Sequence, residues 1–289
     1  MNTETPGRNR LSGYGLGSVD TVLSVDEVAR EAQKIAAEGP SRDELLALAG
    51  DAPLVSIETL RAGYGRMEIL HDVELYAAKG QSLCLIGPNG AGKSTVLHSI
   101  YGFTNITGGR IKVGENDVTD MSPKDKLKSA GIAYILQDNS VFPDMTVEEN
   151  LFMGGYLLND RRGVQEAAEA VFEKYPRLRE RRHQRAGVLS GGERRLLEIS
   201  RALIMKPELL LVDEPSIGLE PRFIDMVFEI LDDLQHNEGK TIILVEQNAK
   251  KGLEFADLGY VLVSGQVAMA GKGDELLENP EVGRLFLGG

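Results

Sequence analysis

Short apolar runs alternate with longer stretches of helical periodicity from residue 54 onwards. The runs that predict strands are LVSIETL, ILHDVEL, QSLCLI, GRIKVG, IAYIL, LLLVDEP, TIILVEQN and GYVLVSGQVAMA. Helical periodicity predominates at about 145–206, with breaks at Pro176 and at the Gly191-Gly192 pair, and returns at 221–236. Strands that alternate with helices predict a largely parallel sheet, with ligands at the carboxyl ends of its strands.

The first fifty residues have a different pattern. The segments SVDEVAREAQKIAAEGP and SRDELLALAGDAP predict two short helices, the first with a narrow, alanine-rich apolar face. We predict an N-terminal extension at residues 1–50, partly helical or flexible, that either lies on the surface or docks on a partner subunit. Residues 54–289 then form a single domain that contains a helical subdomain at about 140–205.

Composition narrows the class of protein. The chain has 289 residues, 42% of them hydrophobic, which is enough for a sizeable core. The sequence shows neither a secretory signal nor an apolar run of about 18 residues, so we expect a chain that does not cross a membrane by itself. The formal charge of −12 argues against nucleic acid as the main partner. The single cysteine, Cys84, and the four scattered histidines show no disulfide, metal or triad pattern.

The motif GPNGAGKST follows the apolar run QSLCLI and precedes a helical segment. This is the context of a phosphate-binding loop: backbone N–H groups surround the phosphates, the lysine reaches the β- and γ-phosphates, and the serine hydroxyl coordinates magnesium. The predicted ATP-binding residues here are Gly87, Pro88, Asn89, Gly90, Ala91, Gly92, Lys93, Ser94 and Thr95.

Two carboxylates end the apolar run LLLVDEP. Behind a phosphate loop, Asp213 is predicted to hold Mg²⁺ through its water shell, and Glu214 to act as general base toward the attacking water. The pair therefore predicts hydrolysis of ATP rather than binding alone.

A third motif, LSGGE, opens the helical run RRLLEISRALI. Its residues are Leu189, Ser190, Gly191, Gly192 and Glu193. Ser190 and Glu193 have the spacing of a capping box, so the segment could simply begin a helix. The N–H groups of the same helix terminus could also bind an anion.

The order of these three motifs resembles that of ATP-binding cassette (ABC) ATPases. The resemblance implies an α/β fold of the P-loop NTPase ABC-ATPase type, with a RecA-like parallel sheet core, an antiparallel β subdomain and a helical signature subdomain. It also implies that LSGGE completes the ATP site of a facing subunit in a head-to-tail dimer.

Further family residues follow from that resemblance. Tyr64 matches the aromatic residue that stacks on adenine, and Gln137 matches the glutamine that contacts magnesium and the attacking water. The segment SIGLE, residues 216–220, matches the loop that connects the two dimer sites. Simple packing of Tyr64 and a surface position for Gln137 remain the alternatives.

Several longer segments, among them MTVEENLFMGGY, DEPSIGLEP and LVEQNA, resemble LivF-type ATPases of branched-chain amino-acid importers over residues 54–289. This implies a LivG-like second ATPase or a homodimer, two transmembrane permease subunits, a periplasmic solute-binding protein and a place on the cytoplasmic face of the inner membrane. The segment FPDMTVEENL would receive the permease's coupling helix, or would be only a capped helix start. Urea or short-chain amide import, and a soluble ATPase not tied to transport, are the alternatives.

The predicted strand TIILVEQN ends in three polar residues. The middle one, Gln247, lies where most cassettes carry a histidine that contacts the γ-phosphate. An amide can donate a hydrogen bond to phosphate but cannot take up a proton at neutral pH. We therefore expect Gln247 to position the phosphate and Glu214 to act as the base, unless Gln247 is only a polar strand end.

Overall fold

The computed structural model describes residues 39–50, 52–137 and 140–286. The first helix predicted in the extension lies outside this part of the chain, whereas the second is observed. The helices are α1 (Arg42–Ala49), α2 (Lys93–Tyr101), α3 (Pro123–Ser129), α4 (Val147–Gly154), α5 (Arg161–Lys174), α6 (Pro176–Glu180), α7 (Gly191–Leu203), α8 (Pro221–His236), α9 (Ala249–Phe255), α10 (Gly273–Glu278) and α11 (Pro280–Phe286).

Two sheets organise the chain. The strands are β1 (Pro53–Tyr64), β2 (Met67–Ala78), β3 (Ser82–Ile86), β4 (Asn105–Val113), β5 (Asn116–Asp117), β6 (Ile132–Ile135), β7 (Leu209–Asp213), β8 (Thr241–Val245), β9 (Leu258–Val263) and β10 (Gln266–Lys272). The order β2-β1-β4-β5 forms an antiparallel sheet. The order β10-β9-β3-β8-β7-β6 forms the second sheet, in which only the edge strand β10 is antiparallel.

The central strands of the parallel sheet are buried on both faces. In β3, Cys84 and Ile86 join the core that faces the helices, whereas Leu83 and Leu85 join the core shared with the antiparallel sheet. Such two-sided burial explains why QSLCLI, LLLVD and TIILV are continuous apolar runs rather than alternating ones. The same packing encloses the Cys84 thiol completely.

The helical region differs from its predicted pattern at one of the two breaks. The break at Pro176 is confirmed, since α5 ends at Lys174 and α6 begins at the proline. The glycine pair does not interrupt a helix: Gly191 begins α7, and the preceding break spans residues 181–190. The reason is that Ser190 caps the helix directly before the glycines. No described helix has the length and apolar character that a membrane span requires.

Helix α1 packs against the antiparallel sheet. Leu45 and Ala49 are buried in the core shared by the two sheets. Arg42 forms an ion pair with Glu58 at 2.9 Å, and the Gln81 amide donates to the carbonyl oxygen of Leu48 at 3.3 Å. The last part of the extension therefore contributes to the core of the domain, although the boundary between residues 50 and 54 remains a prediction.

We expect Leu45→Ala to lower the free energy of unfolding by about 2–5 kcal/mol, because it removes a buried side chain from a packed core. Leu46→Ala, on the same helix but only half-buried, should cost less. Denaturant unfolding of the full chain measures both. Equal losses for the two variants would show that α1 does not pack as described.

Candidate functional site

The phosphate loop connects the buried strand β3 to helix α2. Gly87 has a φ of 142°, and a Cβ at this position would lie 2.1 Å from the carbonyl oxygen of Leu262, so only glycine fits. Lys93 begins α2, and its ammonium donates to the carbonyl oxygens of Gly87 at 2.9 Å and Pro88 at 3.0 Å. Burial lowers the pKa of this ammonium. The loop thus holds one cation within a turn of backbone, as an anion site requires.

Asp213 lies at the carboxyl end of β7 and is buried. Its Oδ1 accepts a hydrogen bond from the Ser94 hydroxyl at 3.1 Å, and its Oδ2 accepts one from the Tyr134 hydroxyl at 2.8 Å. Burial raises the pKa of Tyr134, which keeps this hydroxyl a donor. Tyr134 was not among the predicted site residues; a hydroxyl within the otherwise apolar run IAYIL is the signal that could have indicated it.

Glu214 follows directly, with a left-handed backbone at φ 41° that is uncommon outside glycine. Its N–H donates to the carbonyl oxygen of Val245 at 2.8 Å, which extends the pairing of β7 with β8 by one residue. The Gln137 amide donates to Glu214 Oε2 at 2.9 Å. The structure therefore brings the predicted base into contact with the predicted glutamine.

Ser190 and Glu193 form a reciprocal capping box at the start of α7. The Ser190 N–H donates to Glu193 Oε2 at 3.0 Å, and the Glu193 N–H donates to Ser190 Oγ at 3.3 Å. The bond from the Ser190 N–H holds the pKa of the Glu193 carboxyl below its usual range. A Cβ on Gly192 would lie 2.2 Å from the Phe223 ring, so close packing on α8 requires this glycine. Leu189 is buried beside them.

Arg195, also on α7, is a second residue that the motifs did not indicate. It is 4% exposed, and its Nη1 donates to the carbonyl oxygen of Leu136 at 2.7 Å and to Glu198 Oε2 at 2.9 Å. Its Nη2 lies 3.5 Å from the carbonyl oxygen of Asp213. One guanidinium therefore joins the LSGGE helix to the ends of β6 and β7. The only sequence signal is the i,i+3 spacing of Arg195 and Glu198 in RRLLE.

Tyr64 and Gln247 lie at the edges of this region. Tyr64 is 40% exposed, and its hydroxyl is hydrogen-bonded to His98 Nδ1 and interacts with Thr95 of the phosphate loop. Gln247 is exposed between the buried Glu246 and the helix-capping Asn248. The geometry leaves the Tyr64 ring accessible and the Gln247 amide at the same sheet edge as Asp213.

The predicted metal ligands fit magnesium chemically. Ser94, Asp213 and Gln137 offer a hydroxyl, a carboxylate and an amide, all of them oxygen donors, and the first two are already within hydrogen-bond distance. Within the described ranges, no group of three or more His, Cys, Asp or Glu residues is placed to hold a metal. A site with one carboxylate suits Mg²⁺ that shares its shell with phosphate oxygens and water.

The phosphate loop lies between a buried strand and a helix, and the acidic pair lies at the end of β7, two strands from β3 in the sheet. This arrangement defines an α/β nucleotide hydrolase of the P-loop class. The sequence profile of the ABC transporter family matches residues 70–217. The fold also matches an ATP-binding cassette of an ABC transporter, solved in its ADP conformation, with a TM-score of 0.73 and 28% identity over 83% of this chain and 100% of that one.

Similar proteins extend the match to most of the chain. BraG of Pseudomonas aeruginosa, a high-affinity branched-chain amino acid transport ATP-binding protein, is 43% identical over 82% of this chain and 100% of its own length. LivF of Archaeoglobus fulgidus, a probable protein of the same kind, is 39% identical over 79% of this chain and 96% of its own. The chain belongs to the ATP-binding protein family of ABC transporters, which hydrolyses ATP. The predicted fold class, family and enzyme class are confirmed.

Arg195→Met should lower the free energy of unfolding by about 3–5 kcal/mol, because it leaves the Glu198 carboxylate buried without its cation. Combining it with Glu198→Met should recover much of the loss. Arg162→Met removes an exposed i,i+4 pair with Glu166 and should cost less than about 1 kcal/mol. Denaturant unfolding measures all three variants. A single-variant loss no larger than that of Arg162→Met would contradict the buried pairing.

Proposed function

We propose that the two side-chain contacts at the carboxyl edge of the parallel sheet form the hydrolytic centre. Ser94 with Asp213 is the metal-binding half, and Gln137 with Glu214 is the water-activating half. The observation that carries this proposal is the 2.9 Å contact between Gln137 and Glu214, since it joins the segment after β6 to the residue that directly follows Asp213 at the end of β7.

In this mechanism, backbone N–H groups of the phosphate loop and the Lys93 ammonium bind the phosphates of ATP, and Tyr64 stacks on adenine. Bound Mg²⁺, held by Ser94, Asp213 and Gln137, would neutralise charge on the phosphate oxygens. The water oxygen bonds to the γ-phosphorus as the bond between that phosphorus and the bridging oxygen breaks, and the Glu214 carboxylate accepts the proton of the water. The products are ADP and inorganic phosphate. The Gln247 amide donates to the γ-phosphate.

A second cassette completes each site. The LSGGE segment, with the exposed Ser190 and Gly191 at a helix N-terminus, faces the ATP bound by the other subunit. That subunit is a LivG-like ATPase or a second copy of this chain. A relative of this chain named LivG, a high-affinity branched-chain amino acid transport ATP-binding protein, supports the first of these.

The membrane-facing surface lies beside β6 and α4. A cleft of about 330 Å³ there is lined mainly by aromatic and apolar side chains, among them Phe142, Tyr156 and Met153, together with Glu198 and Arg201. Phe142, Phe152 and Tyr156 are exposed, as expected of a surface that another protein covers. We assign this cleft, next to the predicted segment FPDMTVEENL, to the coupling helix of one of the two permease subunits. The chain would thereby be held as a peripheral subunit on the cytoplasmic face of the inner membrane.

The solute follows from the relatives. BraG, LivF and LivG are named for branched-chain amino acids, which favours that solute class over urea or short-chain amides. Association with a transporter is favoured over a free-standing ATPase for the same reason. Coupling of ATP hydrolysis to branched-chain amino-acid import is the function supported best.

The solute assignment is tested with the chain reconstituted in vesicles with its permeases and second ATPase. A periplasmic binding protein loaded with leucine, isoleucine or valine should stimulate hydrolysis and drive uptake, whereas urea or acetamide should not. Stimulation by the amides alone would replace the proposed solute. If the rate of ATP hydrolysis were the same with and without the permeases and the binding protein, the transport assignment would be wrong and the ATPase assignment would stand.

We expect Glu214→Gln to reduce ATP hydrolysis by about 10²- to 10⁴-fold, because the amide cannot accept the proton of water. ATP affinity should be retained, since the phosphate loop is unchanged. Glu208→Gln, an exposed site at the opposite end of β7, is the matched control. Phosphate release and equilibrium nucleotide binding are measured for each. Wild-type turnover in Glu214→Gln would exclude Glu214 as the base.

A further inference from the structure

Two loops leave neighbouring parallel strands at the catalytic edge. One follows β7 and carries Glu214 and residues 216–220; the other follows β8 and carries Gln247. Their backbones are joined where the Glu214 N–H donates to the carbonyl oxygen of Val245 at 2.8 Å. Any change in the spacing of the two loops would therefore move Glu214 relative to Gln247.

A buried side-chain bond joins the same loops two residues further on. The Ser216 hydroxyl donates to Glu246 Oε1 at 2.8 Å, and the two residues are 9% and 2% exposed. The same carboxylate oxygen accepts the backbone N–H of Asn248 at 3.0 Å. The exposed Gln247 therefore lies between Glu246, whose carboxylate is buried, and Asn248, whose backbone N–H is bonded to that carboxylate.

The Glu246 carboxylate is confined by the helix that follows it. A Cβ on Gly252 of α9 would lie 3.1 Å from the Glu246 Cβ and 2.6 Å from the Cys84 sulfur, so the helix backbone packs directly on this side chain. Glu246 Oε2 has no hydrogen-bond partner within the described part of the chain. Since a buried carboxylate depends on its donors, the bonds to Oε1 carry much of its stabilisation.

The other end of the β7 loop reaches the LSGGE motif. A Cβ on Gly191 would lie 3.5 Å from the Leu219 side chain, and Gly192 packs on Phe223 just beyond the loop. The segment 216–220 is thus in contact with the LSGGE helix at one end and is bonded to the Gln247 strand at the other.

We propose that Ser216 and Glu246 are a positioning pair, which fixes the loop 216–220 against the tip of β8 so that Glu214 and Gln247 keep the spacing needed for hydrolysis. The inference rests on the proposed function, because it assigns a role to the pair only if those two residues act on ATP. Neither residue of the pair is placed to touch ATP; both act through the loops that they join.

The test compares full-length variants in the reconstituted transporter. Ser216→Ala should lower kcat for ATP hydrolysis by about 10- to 100-fold, as misplacement of catalytic groups does, with KM for ATP changed less than about threefold because the phosphate loop is untouched. Ser216→Thr, which keeps the hydroxyl, should recover most of kcat. Glu246→Gln should lower kcat as well, and the two substitutions combined should cost less than the product of their separate effects.

A matched control lies at the opposite end of the same sheet. There the buried Ser82 hydroxyl donates to Oδ2 of Asp257, an exposed residue, at 3.1 Å, which gives a second, partly buried serine–carboxylate bond. Ser82→Ala should lower Tm by an amount similar to Ser216→Ala and leave kcat within about twofold of wild type. A purely structural role for Ser216 would instead give the two variants the same small change in kcat.

Three results would overturn the inference: wild-type kcat in Ser216→Ala, a kcat loss no larger than that of Ser82→Ala, or no recovery in Ser216→Thr. If Ser216→Ala does not fold, the isosteric Glu246→Gln variant decides by the same comparison. The Glu214→Gln variant tests the proposed function separately. If Glu214→Gln loses hydrolysis while Ser216→Ala keeps normal turnover, the positioning pair alone is contradicted.

Discussion

The parallel pairing of β8 with β3 on one side and β7 on the other determines where every part of the candidate site lies. Parallel strands end at the same edge of a sheet. This edge therefore carries the phosphate loop after β3, the acidic pair at the end of β7 and Gln247 after β8. All three strands are buried on both faces, and apart from Ser82 and Thr241 at their starts and Asp213 at the end of β7 their residues are apolar.

That constraint explains which features the sequence could predict. Each continuous apolar run predicts a strand. The runs stop at the phosphate loop, at the pair Asp213 and Glu214, and at Gln247, which indicates the sheet edge at which the candidate site lies. The 221–236 helix was predicted with its observed bounds because Pro221 is suited to a first helical turn and the apolar spacing continues to the end. Local signals of this kind need no knowledge of the partner elements.

Contacts that depend on distant segments were not predictable in the same way. Tyr134 meets Asp213 across 79 positions of sequence, and Arg195 meets Leu136 across 59. Ser216 and Glu246 belong to separate loops whose approach follows only from the strand order. Each of these bonds is a partly or fully buried polar interaction that the fold creates, so its sequence signal is at most one polar residue in an apolar setting. The burial of Leu45 was also not predictable, because nothing in the sequence of the short helix α1 indicates the sheet that covers it.

The LSGGE motif shows why two interpretations of one segment need not compete. The capping box satisfies the N–H groups of Ser190 and Glu193. Helix geometry leaves the first N–H groups of a helix without intrahelical acceptors, and here the two that the box does not use belong to Gly191 and Gly192. The box therefore fixes the helix start and leaves the two glycine N–H groups at the positive end of the helix dipole. Gly191 is exposed and Gly192 is buried against Phe223, so the capping box and a bound anion would use different N–H groups of the same helix terminus.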